Sequence, residues 1–148
     1  MCGIVAQYGP GDPGELEPML ERLVHRGPDD TGTVEVGGHW LGHRRLSIVD
    51  VEGGHQPLRL PDSSALLVGN GEIYNHATLR RVLTGRHLLT GSDNEVALHL
   101  IDRDGPGALA RTNGMFAIVF AAEDGRFVAA RDPVGIKPLY WALSLIHI

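Results

Sequence analysis

Cysteine is almost missing from this sequence: one occurs in 148 residues, at position 2. An internal disulfide is therefore excluded, and Cys2 becomes the first residue once Met1 is removed. Long apolar runs are missing too. No stretch approaches the roughly eighteen residues that a membrane-spanning helix needs. The opening MCGIVAQYG places no basic stretch ahead of an apolar one, so it does not read as a secretory signal, and a cytoplasmic location without a membrane partner is expected. Positive charge is scarce: 13 Lys and Arg face 18 Asp and Glu, giving a formal net charge of −5. No basic cluster exceeds His43-Arg44-Arg45, which excludes nucleic acid and anionic lipid as partners. Internal repeats and low-complexity linkers are absent, so a single folded domain is expected.

What is present alternates between strand-like and helix-like patterning. Ile4 to Tyr8 is a short apolar run closed by Gly9-Pro10-Gly11, which suits a buried strand. Leu16, Met19, Leu20, Leu23 and Val24 then recur at helical spacing between Gly14 and Gly27. Residues 33–37, 39–48 and 65–70 read as strands, Asn75 and Asp93 as caps of two helices, and Glu123-Asp124-Gly125 as a hairpin turn between two apolar strands. A further strand is expected near Leu139. Hairpins interrupted by helices indicate an α+β antiparallel architecture.

Several residues have chemistry beyond packing. An N-terminal cysteine carries its own base, because an α-amino group with a pKa near 8 is partly neutral at cellular pH and accepts the thiol proton directly or through one water. The alternative is that Cys2 is a small hydrophobe opening a strand. Asn70, beside Gly71, offers a side-chain donor next to a closely approachable backbone N–H, the pair that an oxyanion needs; Asn-Gly is also a strong turn signal. Arg45 sits in LGHRRLSIVD, where alternation places His43, Arg45 and Ser47 on one face. A guanidinium held there suits a carboxylate, or the face is simply solvated. Glu72 and Asp93 are acids of the kind that hold an ammonium group, although Asp93 also fits a helix cap. His39 and His43 are spaced i, i+4, but no third ligand lies nearby, and they read as surface or cap residues, not a metal site.

In order, MCGIV, HRGPDDTG, LGHRRLSIVD, NGEIYNH, TGSDNE, NGMFA and RDPVGIKPLY resemble the glutaminase domain of glutamine-hydrolysing asparagine synthetases, from Met1 to about Trp141. These are class II glutamine amidotransferases. The resemblance implies a four-layer αββα N-terminal-nucleophile hydrolase fold, two antiparallel sheets between helices. It implies that Cys2 attacks the glutamine side-chain amide, forming a γ-glutamyl thioester and releasing ammonia. Asn70 and Gly71 would form the oxyanion hole, Arg45 would grip the α-carboxylate, and Glu72 with Asp93 would hold the α-ammonium. ATP and magnesium are expected only for a synthetase domain, normally in the same chain, whose SGGxDS-type signature is not found here; a homodimer is a further implication.

Residues 1–143 are thus expected to form a type 2 amidotransferase domain, C-terminally incomplete, with 144–148 a tail unlike the family. Arg44 stands where the family is often acidic. A competing expectation is a non-catalytic fragment that binds glutamine or a partner, and a third is the glutaminase domain of a related amide-forming enzyme.

Overall fold

The apolar run at the start forms strand β1 (Gly3–Gln7), against which a hairpin of β2 (Asp30–Val36) and β3 (His39–Arg45) closes a three-stranded antiparallel sheet in the order β1-β3-β2. Gly37 and Gly38, both at positive φ, make the tight turn between β2 and β3. A second antiparallel sheet orders β4 (Leu58–Arg59), β5 (Leu66–Ile73), β6 (Gly114–Ala121) and β7 (Phe127–Arg131). Helices α1 (Pro13–Glu21), α2 (His76–Val82) and α3 (Asn94–Asp104) and a 3₁₀ helix at Pro106–Arg111 are the other elements among the described residues. This is a computed structural model, and it describes residues 1–10 and 12–143. The tail 144–148 lies outside the described residues.

Period-two alternation sorts the side chains into three apolar layers. Leu16 and Leu20 of α1 pack on Val5 and Trp40, on the outer face of the first sheet. Leu41 and Val36 meet Leu66, Val68, Val119 and Ala121 between the sheets, with Ile4 and Ala6 against them. Leu67, Phe116, Ile118 and Phe120 turn the other way, onto Val96, Leu100 and Ile101 of α3 and Leu79 of α2. The stacking is therefore helix, sheet, sheet, helices, the four layers that the resemblance implies. Among the described residues no helix is long and apolar enough to cross a membrane.

Several local expectations need correction. The helix expected across 14–27 ends at Glu21 and is followed by turns, with Pro18 inside it. The strand expected over 39–48 stops at Arg45, whereas β5 runs past the expected residue 70 to Ile73. Asn75 caps nothing with its side chain: Nδ2 donates to Arg111 O and Oδ1 accepts from Asn113 N, tying α2 to the start of β6. Residues 138–143 contain no strand near Leu139. The 3₁₀ helix and β4 were not foreseen. Their segments carry Pro and Gly, which read as loop.

Candidate active site

The same alternation that builds the core aims the polar residues. On β3, Leu41 faces the second sheet, so His43 and Arg45 do as well; on β5, Leu66 and Val68 face the first sheet, so Asn70 and Glu72 follow. Where the apolar layer between the sheets runs out, these side chains meet Cys2, just ahead of β1. A cleft of ≈ 260 Å³ results, lined by Cys2, Arg45, Asn70, Gly71, Glu72 and Asp93 together. Met1 also lines it.

Each side chain has a distinct setting. Cys2 Sγ lies 3.5 Å from the Leu46 N–H and 3.8 Å from the Leu46 carbonyl, half-buried at the mouth. Arg26 Nε donates to the Cys2 carbonyl at 3.2 Å, which fixes the backbone of the first residues. Arg45, 3% exposed, is no solvated strand face. Its guanidinium donates to the carbonyls of Val49, Asp50 and Val51, so it shapes the 49–51 loop and keeps two of its five N–H groups for other acceptors.

Asn70 and Gly71 form no turn; they lie within β5, opposite Ala117 and Phe116 of β6. The Asn70 amide has no hydrogen bond among the described residues. The N–H groups along the outer edge of β5 alternate: Gly69 N–H goes to Gln56 Oε1 at 2.6 Å and Ile73 N–H to Asp93 Oδ2 at 2.5 Å. Gly71, midway, points its N–H to that same edge, and no side chain among the described residues accepts it. A Cβ at Gly71 would run into the Met115 carbonyl and come within 2.5 Å of Phe116 Cα, both backbone that cannot yield. Gly71→Ala is therefore expected to destabilise the fold by about 2–3 kcal/mol, read as a lower urea midpoint. An unchanged midpoint would contradict this packing.

Asp93 does not cap α3: it makes no side-chain cap hydrogen bond, and its carboxylate turns to β5 and the cleft. The next acid, Glu95, does the local structural task. It accepts from the N–H groups of Leu89 and Thr90 and from the Thr90 hydroxyl, holding the loop that delivers Asp93. Burial pushes the Glu95 carboxyl up, but His99 and these bonds outweigh it and hold it below its ordinary value.

Three cleft neighbours escaped notice in the sequence. Gln56 clamps Gly69; nothing in the local sequence marks it. Lys137, 7% exposed, lines the cleft with no side-chain partner among the described residues. Its loop is folded by Asp132, which accepts from Phe116, Ile136 and Lys137 N–H groups. Burial alone would raise the Asp132 carboxyl, yet those bonds hold it low. A lysine between Gly135 and Pro138 was the available signal. Asn94 also lines the cleft, with its amide against Asp93 and Gly71.

His39 and His43 are buried, contrary to a surface or cap role. His39 Nδ1 accepts from Gly9 N–H and its ring stacks on Tyr8. Among the described residues no group of three His, Cys, Asp or Glu is placed to hold a metal. Burial, aided by Arg45, lowers His43 to about 4 from an ordinary 6.5, against the raising effects of the Gly69 bond and Asp30. Between those values the unfolded chain binds the proton more tightly than the folded one. Stability therefore falls as pH drops through 6.5 toward 4, by on the order of 3 kcal/mol. Urea titrations at pH 7 and pH 5 should show about 2 kcal/mol of this loss, and His43→Gln should shrink it; an equal loss in the variant would contradict the assignment.

Residues 1–146 match the family model for the glutamine amidotransferase domain. The chain belongs to this family. Curated relatives of the amidotransferase domain include glutamine-hydrolysing asparagine synthetases from Asparagus officinalis, 44% identical, and Sandersonia aurantiaca, 41% identical, each aligned over 97% of this chain. This chain spans only 26% and 29% of their respective lengths. Among solved structures, the glutamine phosphoribosylpyrophosphate amidotransferase of B. subtilis shares the fold with a TM-score of 0.73 at 23% identity, over 93% of this chain and 38% of that one. The allosteric regulatory enzyme of purine biosynthesis aligns with a TM-score of 0.72 at 25% identity, again over 93% and 38%. Both place this amidotransferase in the same two-sheet architecture.

Proposed function

We propose that this chain hydrolyses glutamine to glutamate and ammonia through a γ-glutamyl thioester on Cys2. The observation that carries the proposal is the single cleft in which Cys2, Arg45, Asn70, Gly71, Glu72 and Asp93 converge at the end of the inter-sheet layer. Removing Met1 both enlarges that cleft and frees the Cys2 α-amine. The amine takes the thiol proton as Sγ attacks the side-chain carbonyl carbon of glutamine. The oxyanion that forms is met by Asn70 Nδ2 and the Gly71 N–H. The protonated amine then returns its proton to the departing nitrogen, which leaves as ammonia, and water cleaves the thioester to glutamate and free thiol.

Recognition follows from charge. The two N–H groups that Arg45 keeps suit the α-carboxylate, and Glu72 with Asp93 suits the α-ammonium. An amide lacking this head leaves these charges unmatched, at about 1–3 kcal/mol for each buried group. Asparagine keeps the head but is one methylene short, so its amide misses the thiol. Purified chain should release ammonia from glutamine and not from asparagine; equal release from both would sink the proposal.

The relatives' printed activity, asparagine synthesis with glutamine hydrolysis, suggests where the ammonia goes. We take residues 1–143 as the ammonia-supplying domain, serving a synthetase domain that uses ATP and magnesium, with a cytoplasmic location and a homodimer as the associated expectations.

A further inference from the structure

Among the described residues the outer edge of β5 has no strand partner beyond Leu67, because β4 pairs only with Leu66 and Leu67. The backbone groups of Gly69 on that edge are satisfied by two side chains. Gln56 takes both: its Oε1 accepts the Gly69 N–H at 2.6 Å and its Nε2 donates to the Gly69 carbonyl at 3.2 Å, as a neighbouring strand would. His43 Nε2 reaches the same carbonyl at 3.1 Å, across the layer between the sheets. Since a carbonyl only accepts, His43 carries its proton on Nε2 and leaves Nδ1 bare; Nδ1 is buried without a partner among the described residues.

Gly69 is the residue immediately before Asn70 and Gly71. β6 holds the strand along one edge only, so on the other edge, at Gly69, the Gln56 and His43 side chains alone keep its donors from shifting. We propose that His43 and Gln56 are positioning residues: by holding both backbone groups of Gly69, they fix the Asn70–Gly71 donor pair against the sheet that carries Cys2. The proposal rests on the glutamine-hydrolysing reading above and adds to it the elements that aim its donors. Neither side chain touches the reacting atoms. The bond from His43 also ties β3, whose last residue is Arg45, to the strand bearing the oxyanion donors, so carboxylate grip and oxyanion hole keep a fixed separation.

The predicted signature is loss in turnover without loss in binding. Displacing a catalytic group by about 1 Å costs up to about 100-fold in rate. Of the groups suited to glutamine's charged head, Arg45 on β3 and Asp93 ahead of α3 lie off the shifted strand and only Glu72 lies on it, so affinity should hold to within a few-fold. His43→Asn loses the reach of Nε2, whereas His43→Gln places an amide N–H near the same point; Gln56→Ala removes the other clamp from a loop.

The test measures kcat and KM for glutamine in wild type and these three variants, with circular dichroism and thermal melts to confirm folding. His43→Asn and Gln56→Ala should lower kcat about 10- to 100-fold with KM within about 3-fold, and His43→Gln should recover to within about 5-fold of wild type. Folded variants with wild-type kcat, a loss confined to KM, or a His43→Gln no better than His43→Asn would overturn the positioning role. If His43→Asn does not fold, Gln56→Ala decides by the same criterion. A wild type without turnover would instead refute the amidotransferase reading, and the positioning role with it.

Discussion

Cys2→Ala is expected to abolish glutamine hydrolysis, by at least about 1,000-fold, while leaving glutamine binding within a few-fold of wild type. The reason is geometric. Sγ is at the mouth of the cleft beside Leu46, whereas the charged groups for the amino-acid head, Arg45, Glu72 and Asp93, belong to other elements. Losing the sulfur removes the atom that bonds to substrate and none of the groups suited to hold it. Calorimetry on Cys2→Ala separates the two quantities. Retained turnover would mean that hydrolysis uses another nucleophile, and among residues of this chain no second thiol exists to take the part.

Asn70→Ala should lower kcat by about 100- to 1,000-fold with little change in KM, the loss typical of one oxyanion donor. Asn70 is buried in β5 with an amide that bonds nothing among the described residues, so its removal breaks no hydrogen bond of the fold. Thermal stability should therefore stay close to wild type. This combination, a large loss in rate with intact folding, distinguishes a donor kept for the transition state from a structural asparagine, whose removal lowers stability first. A fall in melting temperature with proportionate loss of rate would contradict the role.

Much of this arrangement was legible in the sequence because strand alternation and ordered motifs act over short distances. The hairpin at Glu123-Asp124-Gly125 and the strand β1 followed from residue patterns, and the grouping of Cys2, Arg45, Asn70, Gly71, Glu72 and Asp93 from the family resemblance. What escaped depends on contacts distant in sequence. Gln56 acts on Gly69, thirteen positions away, because β4 is too short to pair there. His43 is buried because the second sheet covers it, which no local pattern records. Asp93 and Asn75 looked like caps since short polar side chains before a helix usually are, yet β5 and Arg111 offered them partners instead. Arg45 was expected either to grip a carboxylate or to lie on a solvated face, but it is buried and folds the 49–51 loop.

The most direct test of the central claim is intact mass spectrometry of the purified chain after incubation with a glutamine-like electrophile, with excess glutamine and Cys2→Ala as controls. The expected result is a chain lacking Met1 that carries one adduct, located on Cys2, suppressed by glutamine and absent from the variant. A processed, folded chain that gains no adduct, or one that glutamine does not suppress, would contradict the assignment of Cys2 as the glutamine-directed nucleophile.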